Sequence, residues 1–491
     1  MKLLLRGHDE RYVVEQSLLN LFPGELPVYE PIGPEDDAWA IVSLEENGEW
    51  CRVTVELSWQ GKTETRQYAC ALSGTDFARE GQRRHAVGAA FFLAAQAVSG
   101  TCPPWGMLTG VRPDKPATAA LAAGKTPAEA QALLEDFYYV TPDRAALAAE
   151  TAAAALTAAR KLEKRDIAVY VGIPFCPTRC AYCSFVSADV GRTLKLVEPY
   201  LEGVLREIAV TGESLRRAGK TVHSLYVGGG TPTTLSASQL SQLLEAVHRD
   251  LPVEHCVEYT VEAGRPDTID REKLLALREA GIGRISINPQ TLEDPVLQAI
   301  GRRHSAQDIL DAYALAREVG FDSINMDLIA GLPRDSFEGF CRSLNGVLAL
   351  EPENITVHTL ALKKGSRLME QGGALPSGEE TARMLDYSLE RLSGKGYLPY
   401  YLYRQKYMSG SLENVGWCLS GQESVYNIVM MEELQTVVSI GGGGVTKLVD
   451  RAAGTIVRQP NPKYPHDYLA ALDRVLTQKE ELAACFLPTH N

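Results

Sequence analysis

No run of apolar residues in this 491-residue chain reaches the roughly 18 to 20 that a membrane-crossing helix needs. The opening MKLLLRGHDE holds three leucines between Lys2 and Arg6, too short a stretch for the core of a signal peptide. Positive charge is also scarce: 49 Lys and Arg stand against 62 Asp and Glu, a net charge of −13. That balance repels nucleic-acid phosphates and anionic membrane surfaces unless basic residues cluster locally. We therefore expect no nucleic-acid partner and no membrane span, and an anionic small substrate would need its own basic pocket. Low-complexity linkers are missing, and so is any internal repeat other than a strand–helix rhythm. Together these absences predict a cytoplasmic protein whose thiols stay reduced. Seven of its ten cysteines (Cys51, Cys70, Cys102, Cys256, Cys341, Cys418 and Cys485) are scattered and read as small core hydrophobes.

What is present is an ordinary globular composition, 45% hydrophobic and 23% charged, at a length that suits more than one domain. Residues 38–72 alternate apolar and polar side chains and read as strands. Helical patterns follow over 77–99 and 117–163, with starts at Thr126-Pro127 and Thr141-Pro142. These predict an N-terminal α+β module over residues 1–165. The basic stretches REGQRR and GVRPDK within it read as a solvated face.

Beyond Arg165 short apolar runs alternate with helical stretches. The runs are 167–172, 224–229, 257–263, 284–288, 323–331 and 354–360. Six strands, each followed by a helix, predict parallel pairing through crossovers. Six units fall short of the eight of a closed barrel. The expected fold class is therefore α/β: a partial (β/α)6 TIM-like barrel over 166–385 and a mixed C-terminal region over 386–491, with active residues at the C-terminal ends of the strands.

The other three cysteines, Cys176, Cys180 and Cys183, lie in GIPFCPTRCAYCSF, four residues past the first strand. A structural zinc site needs four ligands, and no second Cys-x-x-Cys or neighbouring histidine pair supplies the rest. The context does not suit a thioredoxin-like pair either. Thiolates also hold iron–sulfur clusters, and three of them on a four-iron cubane leave one iron open to a ligand. Phe175, Tyr182 and Phe185 would shield such a cluster.

Further residues gather at the predicted strand ends. The glycines of GGGTPT (Gly228–Thr233) allow close backbone approach and can offer N–H groups to a ligand. Glu262 ends the third strand, where a buried carboxylate needs a partner. Ser286, Asn288 and Gln290 share one face of RISINPQ, and Asp327 interrupts the apolar strand SINMDLIAG. In the C-terminal region, Gly441–Gly444 suggest close backbone packing over a ligand or a strand-to-turn bend. Tyr401, Tyr403, Arg404 and Lys406, with Lys363, Lys364 and Arg367, could cradle a flat tetrapyrrole bearing carboxylates.

The spacing C-x-x-x-C-x-x-C after the first strand of a partial barrel resembles the radical S-adenosylmethionine (SAM) superfamily. The fuller string YVGIPFCPTRCAYCSF, with GGGTPT, is similar to the oxygen-independent coproporphyrinogen III oxidase (coproporphyrinogen dehydrogenase) family, over roughly residues 166–450. The long N-terminal module resembles that family's Gram-positive-type branch. The resemblance implies a [4Fe-4S] cluster on Cys176, Cys180 and Cys183, and one or two SAM molecules. It places SAM contacts at Tyr170, Tyr182, Gly229, Gly230, Thr231, Glu262, Gln290, Arg302 (with Arg303 the neighbouring choice), Asp327, Ala361 and Val445. Glu262 and Tyr170 become the candidate catalytic residues. A reduced flavodoxin- or ferredoxin-type donor is implied, as is decarboxylation of coproporphyrinogen III propionates to vinyl groups. Gly172 departs from the pattern, because well-known members carry His there. Two alternatives stay open: another radical SAM reaction on a tetrapyrrole, such as heme-opening methyl transfer, and a heme carrier that retains the cluster fold.

Overall fold

The computed structural model describes residues 1–183, 188–362, 366–371, 375–405, 412–451 and 453–486. The chain forms two compact units, Met1–Ala152 and a second that begins at Ala153.

The first unit is a four-stranded sheet under two helices. Its strands are β1 (Lys2–Arg6), β2 (Trp39–Glu46), β3 (Trp50–Trp59) and β4 (Lys62–Ala71), in that spatial order, with β1 parallel to β2 and the rest antiparallel. Alternation sends Val42, Leu44, Val53, Val55 and Leu57 inward, into one core with residues of α1 (Arg11–Leu21) and α2 (Asp76–Ser99) such as Val14, Leu18, Phe91 and Phe92. The sequence pattern did not reveal β1, because three successive leucines do not alternate. In the strand Leu3 is buried and Leu4 exposed. Thr75 caps α2 through Ala78 N–H at 3.3 Å, and Gly100 ends it at a left-handed φ of 70°. The arginines of REGQRR are paired: Arg79 and Arg83 with Glu46, and Arg84 with Glu80 and Glu10. Helices α3 (Lys115–Ala122) and α4 (Pro127–Tyr138) follow, and α5 (Pro142–Lys161) runs into the second unit.

In the second unit the predicted partial barrel is present. Its six parallel strands are β5 (Asp166–Ile173), β8 (Thr221–Gly229), β9 (Glu258–Gly264), β10 (Arg284–Ile287), β11 (Ser323–Ala330) and β12 (Asn354–Thr359). The two-residue strands β6 (Phe175–Cys176) and β7 (Ala188–Asp189) form a small ladder in the loop after β5. Around the barrel run α6 (Val190–Arg217), α7 (Ala237–Asp250), α8 (Arg271–Glu279), α9 (Asp294–Ala299), α10 (Ala306–Val319), α11 (Phe337–Ala349), α12 (Arg367–Gln371) and α13 (Gly378–Gly394). The C-terminal region extends both sheet edges. Strands β13 (Leu398–Tyr403) and β14 (Asn414–Cys418) add antiparallel beyond β12, while β15 (Val437–Gly441) adds parallel to β5 and carries β16 (Val445–Asp450) and β17 (Thr455–Pro460). Helices α14 (Val425–Glu432), α15 (Pro465–Ala470) and α16 (Leu472–Glu480) complete the unit.

Period-two alternation gives these strands two unlike faces. Val169, Val171, Leu225, Val261, Ile285, Ile324, Leu328 and Val357 form the buried apolar face. The other face is polar and aromatic. Register aligns Tyr170, Tyr226, Thr260, Arg284 and Ser323 at one level, and Glu262, Ser286, Asn325 and Asn354 at the next. Asp327, Thr356, Gly416 and Tyr401 follow.

The segment 422–426 seals the lower levels of this polar face. Arg284 and Asn354 donate to Gln422 O at 2.8 and 2.7 Å. Glu258 accepts from Ser424 Oγ at 2.9 Å and Val425 N–H at 2.5 Å, so a carboxylate sits at the positive end of α14. That helix then packs Tyr426 and Val429 against Ala168 and Val437, and Ile428 against Tyr400, Tyr401 and Cys418. It thus touches both margins of the incomplete barrel.

Candidate active site

The cysteine loop leaves β5 at its C-terminal end, and the glycine turn after β8 fixes its path. Gly230 N–H donates to Ile173 O at 2.8 Å and Thr231 N–H to Phe175 O at 2.7 Å. A Cβ on Gly230 would lie 2.4 Å from Phe175 O, and Gly229 has a φ of +118°. Here glycine is required by backbone packed on backbone. Thr231, itself buried, directs Oγ1 to Cys176 Sγ at 3.6 Å.

Arg265, 4% exposed and absent from the sequence expectations, holds the middle of the loop. Its Nη1 donates to Thr178 O at 3.0 Å and Thr178 Oγ1 at 2.8 Å, while Asp267 accepts from Nε and Nη2 at 2.9 and 2.8 Å. Burial alone would raise the Asp267 carboxyl, but His304 and Arg265 outweigh it and hold the pKa well below the usual carboxylate range. Ala181 N–H reaches Ile300 O at 2.9 Å, and Arg367 donates to Arg179 O. Cys180 is buried, whereas Cys176 and Cys183 are half-buried. Among the described residues no three His, Cys, Asp or Glu side chains converge as a shell for a single ion.

Arg302 lies beside the loop, 6% exposed. It donates to Asn288 O at 2.6 Å and to Tyr182 OH at 3.4 Å. Burial would lower its pKa, but Tyr182 and Cys180 outweigh this and raise it; burial and Cys180 raise that of Tyr182. Gln290 is held at a φ of +69° between N–H···O bonds to Asp327 O (2.8 Å) and from Ile329 N–H (3.0 Å). It therefore bridges toward β11, apart from Ser286 and Asn288.

Glu262 accepts a 2.6 Å hydrogen bond from Tyr226 OH. Burial, with a smaller push from Asp327, lifts its carboxyl from the ordinary 4.5 to about 7 against the pull of Tyr226 and of Gly229 N–H. Tyr226 stacks on Tyr426 at 4.6 Å and Tyr170 at 6.4 Å between ring centroids. Of the three, the family resemblance implies only Tyr170. Tyr226 could have been found by counting back two residues from Gly228; Tyr426 arrives on α14, far along the chain. Asp327 Oδ1 accepts from Asn325 Nδ2 at 2.7 Å, and Oδ2 lies 3.7 Å from His358 Nε2. Burial opposes ionisation of Asp327, yet His358 and Asn325 keep its pKa lowered. Ala361 follows β12 and is half-buried; Val445, also half-buried, opens β16 beside Gly444. A Cβ on Gly444 would lie 3.2 Å from Tyr170 Cδ1.

Two expectations change. Gly441–Gly444 close on protein: a Cβ on Gly441 would meet Gly172 O at 2.5 Å, and one on Gly172 would meet Gly442 O at 2.7 Å. Tyr200 OH bridges the two strands, donating to Gly172 O and accepting from Gly442 N–H, each at 2.6 Å. Position 172 thus has no room for an imidazole. Arg404 is not an open cradle residue but 7% exposed; burial, only partly opposed by the 2% exposed Glu413, pushes its pKa down to about 10. Tyr401 is buried over Gly416. Phe185, Lys363, Lys364 and Lys406 lie outside the described residues.

The barrel and its cysteine loop define the class. The Radical SAM superfamily profile matches residues 170–344. Coproporphyrinogen III oxidase (HemN) from Escherichia coli, a radical SAM enzyme, shares the fold at a TM-score of 0.52 and 24% identity, over 65% of this chain and 72% of that one. The oxygen-independent coproporphyrinogen-III oxidase-like protein HemZ of Bacillus subtilis is 37% identical over 488 residues, 98% of this chain and 97% of that protein. The heme chaperone HemW of the same organism is 35% identical over 237 residues, 47% of this chain and 61% of its own. The chain belongs to the HemN-like family of the radical SAM superfamily. That superfamily uses a [4Fe-4S] cluster and SAM. No described helix is long and apolar enough to cross a membrane.

Proposed function

We propose that this protein oxidatively decarboxylates propionate side chains of coproporphyrinogen III to vinyl groups, an oxygen-independent route to protoporphyrinogen IX. The observation that carries the reading is convergence. The three-cysteine loop, the Tyr226–Glu262 pair, Asp327 and the half-buried Tyr403 all lie toward the C-terminal end of one partial barrel.

Cys176, Cys180 and Cys183 would hold the [4Fe-4S] cluster. Gly229, Gly230, Thr231, Glu262, Gln290, Arg302 and Asp327 would hold SAM, bordered by Tyr170, Tyr182, Ala361 and Val445. The fit has independent support: Arg302 Nε, Ser286 Oγ, Asn288 Oδ1 and Tyr426 OH are buried polar atoms without a hydrogen-bond partner, the kind that a polar ligand satisfies. When bound, cluster and SAM supply a carbon-centred radical by one-electron cleavage of the sulfonium, the electron coming from a reduced flavodoxin- or ferredoxin-type protein. This chain's residues do the rest. Glu262 and Asp327 orient hydroxyl and ammonium groups, Arg265 and Thr231 steady the thiolate loop, and α14 excludes water from below.

One finding favours a second reading: the matching heme chaperone HemW makes heme carriage an alternative. Anaerobically reconstituted protein given SAM, a reductant and coproporphyrinogen III should form protoporphyrinogen and 5′-deoxyadenosine, read by chromatography. Deoxyadenosine without the vinyl product would reject the substrate. Tight heme binding with neither product would favour carriage.

A further inference from the structure

We propose that His358 receives a carboxylate of the tetrapyrrole and bridges it to Asp327. The inference rests on the tetrapyrrole reading and names a residue for its substrate side. His358 is the penultimate residue of β12 and continues the inward row of Asn354 and Thr356. Its side chain is 26% exposed, and Nε2 lies 3.7 Å from Asp327 Oδ2. Asp327 is itself held by Asn325 at 2.7 Å. No described residue partners its Nδ1.

The surroundings suit a flat macrocycle with acidic arms. The half-buried Tyr403 stacks on the buried Tyr401 at 6.3 Å and 15°, and Tyr401 OH donates to Thr356 Oγ1 at 3.3 Å on the same row. Glu262 and Asp327 would repel an incoming carboxylate, which therefore needs a donor of its own. Arg265 and Arg302 are buried and engaged with the cysteine loop and Asn288, and Arg404 is buried with Glu413. An imidazole that carries both protons donates from each nitrogen. In that form His358 would face Asp327 with Nε2 and donate to the substrate carboxylate through Nδ1. The same bridge offsets the negative charge of Asp327 while the substrate is bound.

The test measures binding of coproporphyrin III and of its tetramethyl ester to the reconstituted full-length protein by fluorescence quenching. The free acid should bind wild type more tightly than the ester. His358→Phe should weaken the acid about ten- to a hundred-fold, the scale of one charge-assisted hydrogen bond, and leave the ester unchanged. His358→Gln, which keeps one donor, should fall between and decides the matter if the Phe variant fails to fold. Unchanged acid binding in a folded variant overturns the inference. Equal binding of acid and ester by wild type also overturns it and leaves the tetrapyrrole reading standing. Failure of wild type to bind either porphyrin removes that reading and the inference together.

Discussion

Replacing Tyr226 with Phe deletes one hydroxyl and tests what sets the charge of Glu262. The phenol donates at 2.6 Å to Glu262 Oε1 and pulls down a carboxyl that burial has lifted to about 7. A hydrogen bond to a charged group is worth about 1.5–3 kcal/mol. At about 1.4 kcal/mol per pH unit, its loss lifts the carboxyl by a further ~1–2 units. Glu262 is roughly half ionised near neutrality in the wild type and would be mostly protonated in the variant. If the ionised carboxylate holds SAM, affinity at neutral pH should drop about tenfold and recover as pH rises. The ring remains to stack on Tyr426 at 4.6 Å, so the fold should be spared. Anaerobic titration calorimetry of the reconstituted protein, repeated across the neutral range, reads the effect. A pH profile that superimposes on wild type would refute the reasoning.

Three further outcomes are expected. Gly230→Ala puts a Cβ 2.4 Å from Phe175 O; it should displace the Cys176 strand at a cost of about 1–3 kcal/mol and lower iron per chain on reconstitution, whereas full iron content would discount the glycine contact. The folded-state pKa of Glu262 is raised from 4.5 to about 7, so its favourable contribution is complete below the lower value and lost as pH rises through the upper. Glu262→Gln should therefore remove about 3 kcal/mol of pH dependence from apo-protein urea unfolding, and parallel curves for the two proteins would count against it. Arg404→Ala removes a buried guanidinium that lies near the buried Glu413 and should destabilise the second unit, visible as a lower Tm; an unchanged Tm would return Arg404 to the open pocket.

The barrel was legible because its strands are apolar runs punctuated by Gly and Pro, and its helices carry clear starts such as Ser236 and Ser305, both capping boxes. Cys176, Cys180 and Cys183 stand out because their spacing has few bland uses. Strand β1 escaped because consecutive leucines suit no simple period. The plug at the barrel floor escaped for a different reason: Glu258 meets Ser424 across 166 residues, and nothing local in either segment encodes the meeting. Gly441–Gly444 carried a correct signal of close packing, but the partner is Gly172 and Tyr200. A glycine run reports that something comes near without saying what. Arg404 and Tyr401 show the converse error, since alternating basic and aromatic residues look like a surface cradle until burial is known.

The central claim is that three thiolates leave one cluster iron for SAM. Electron paramagnetic resonance of the reduced, reconstituted protein, recorded before and after adding SAM labelled at its amino nitrogen, tests it most directly. The account predicts a [4Fe-4S] signal that shifts on addition and shows coupling to the labelled nitrogen. A cluster signal indifferent to SAM, or retained in full after Cys180→Ala, would contradict it.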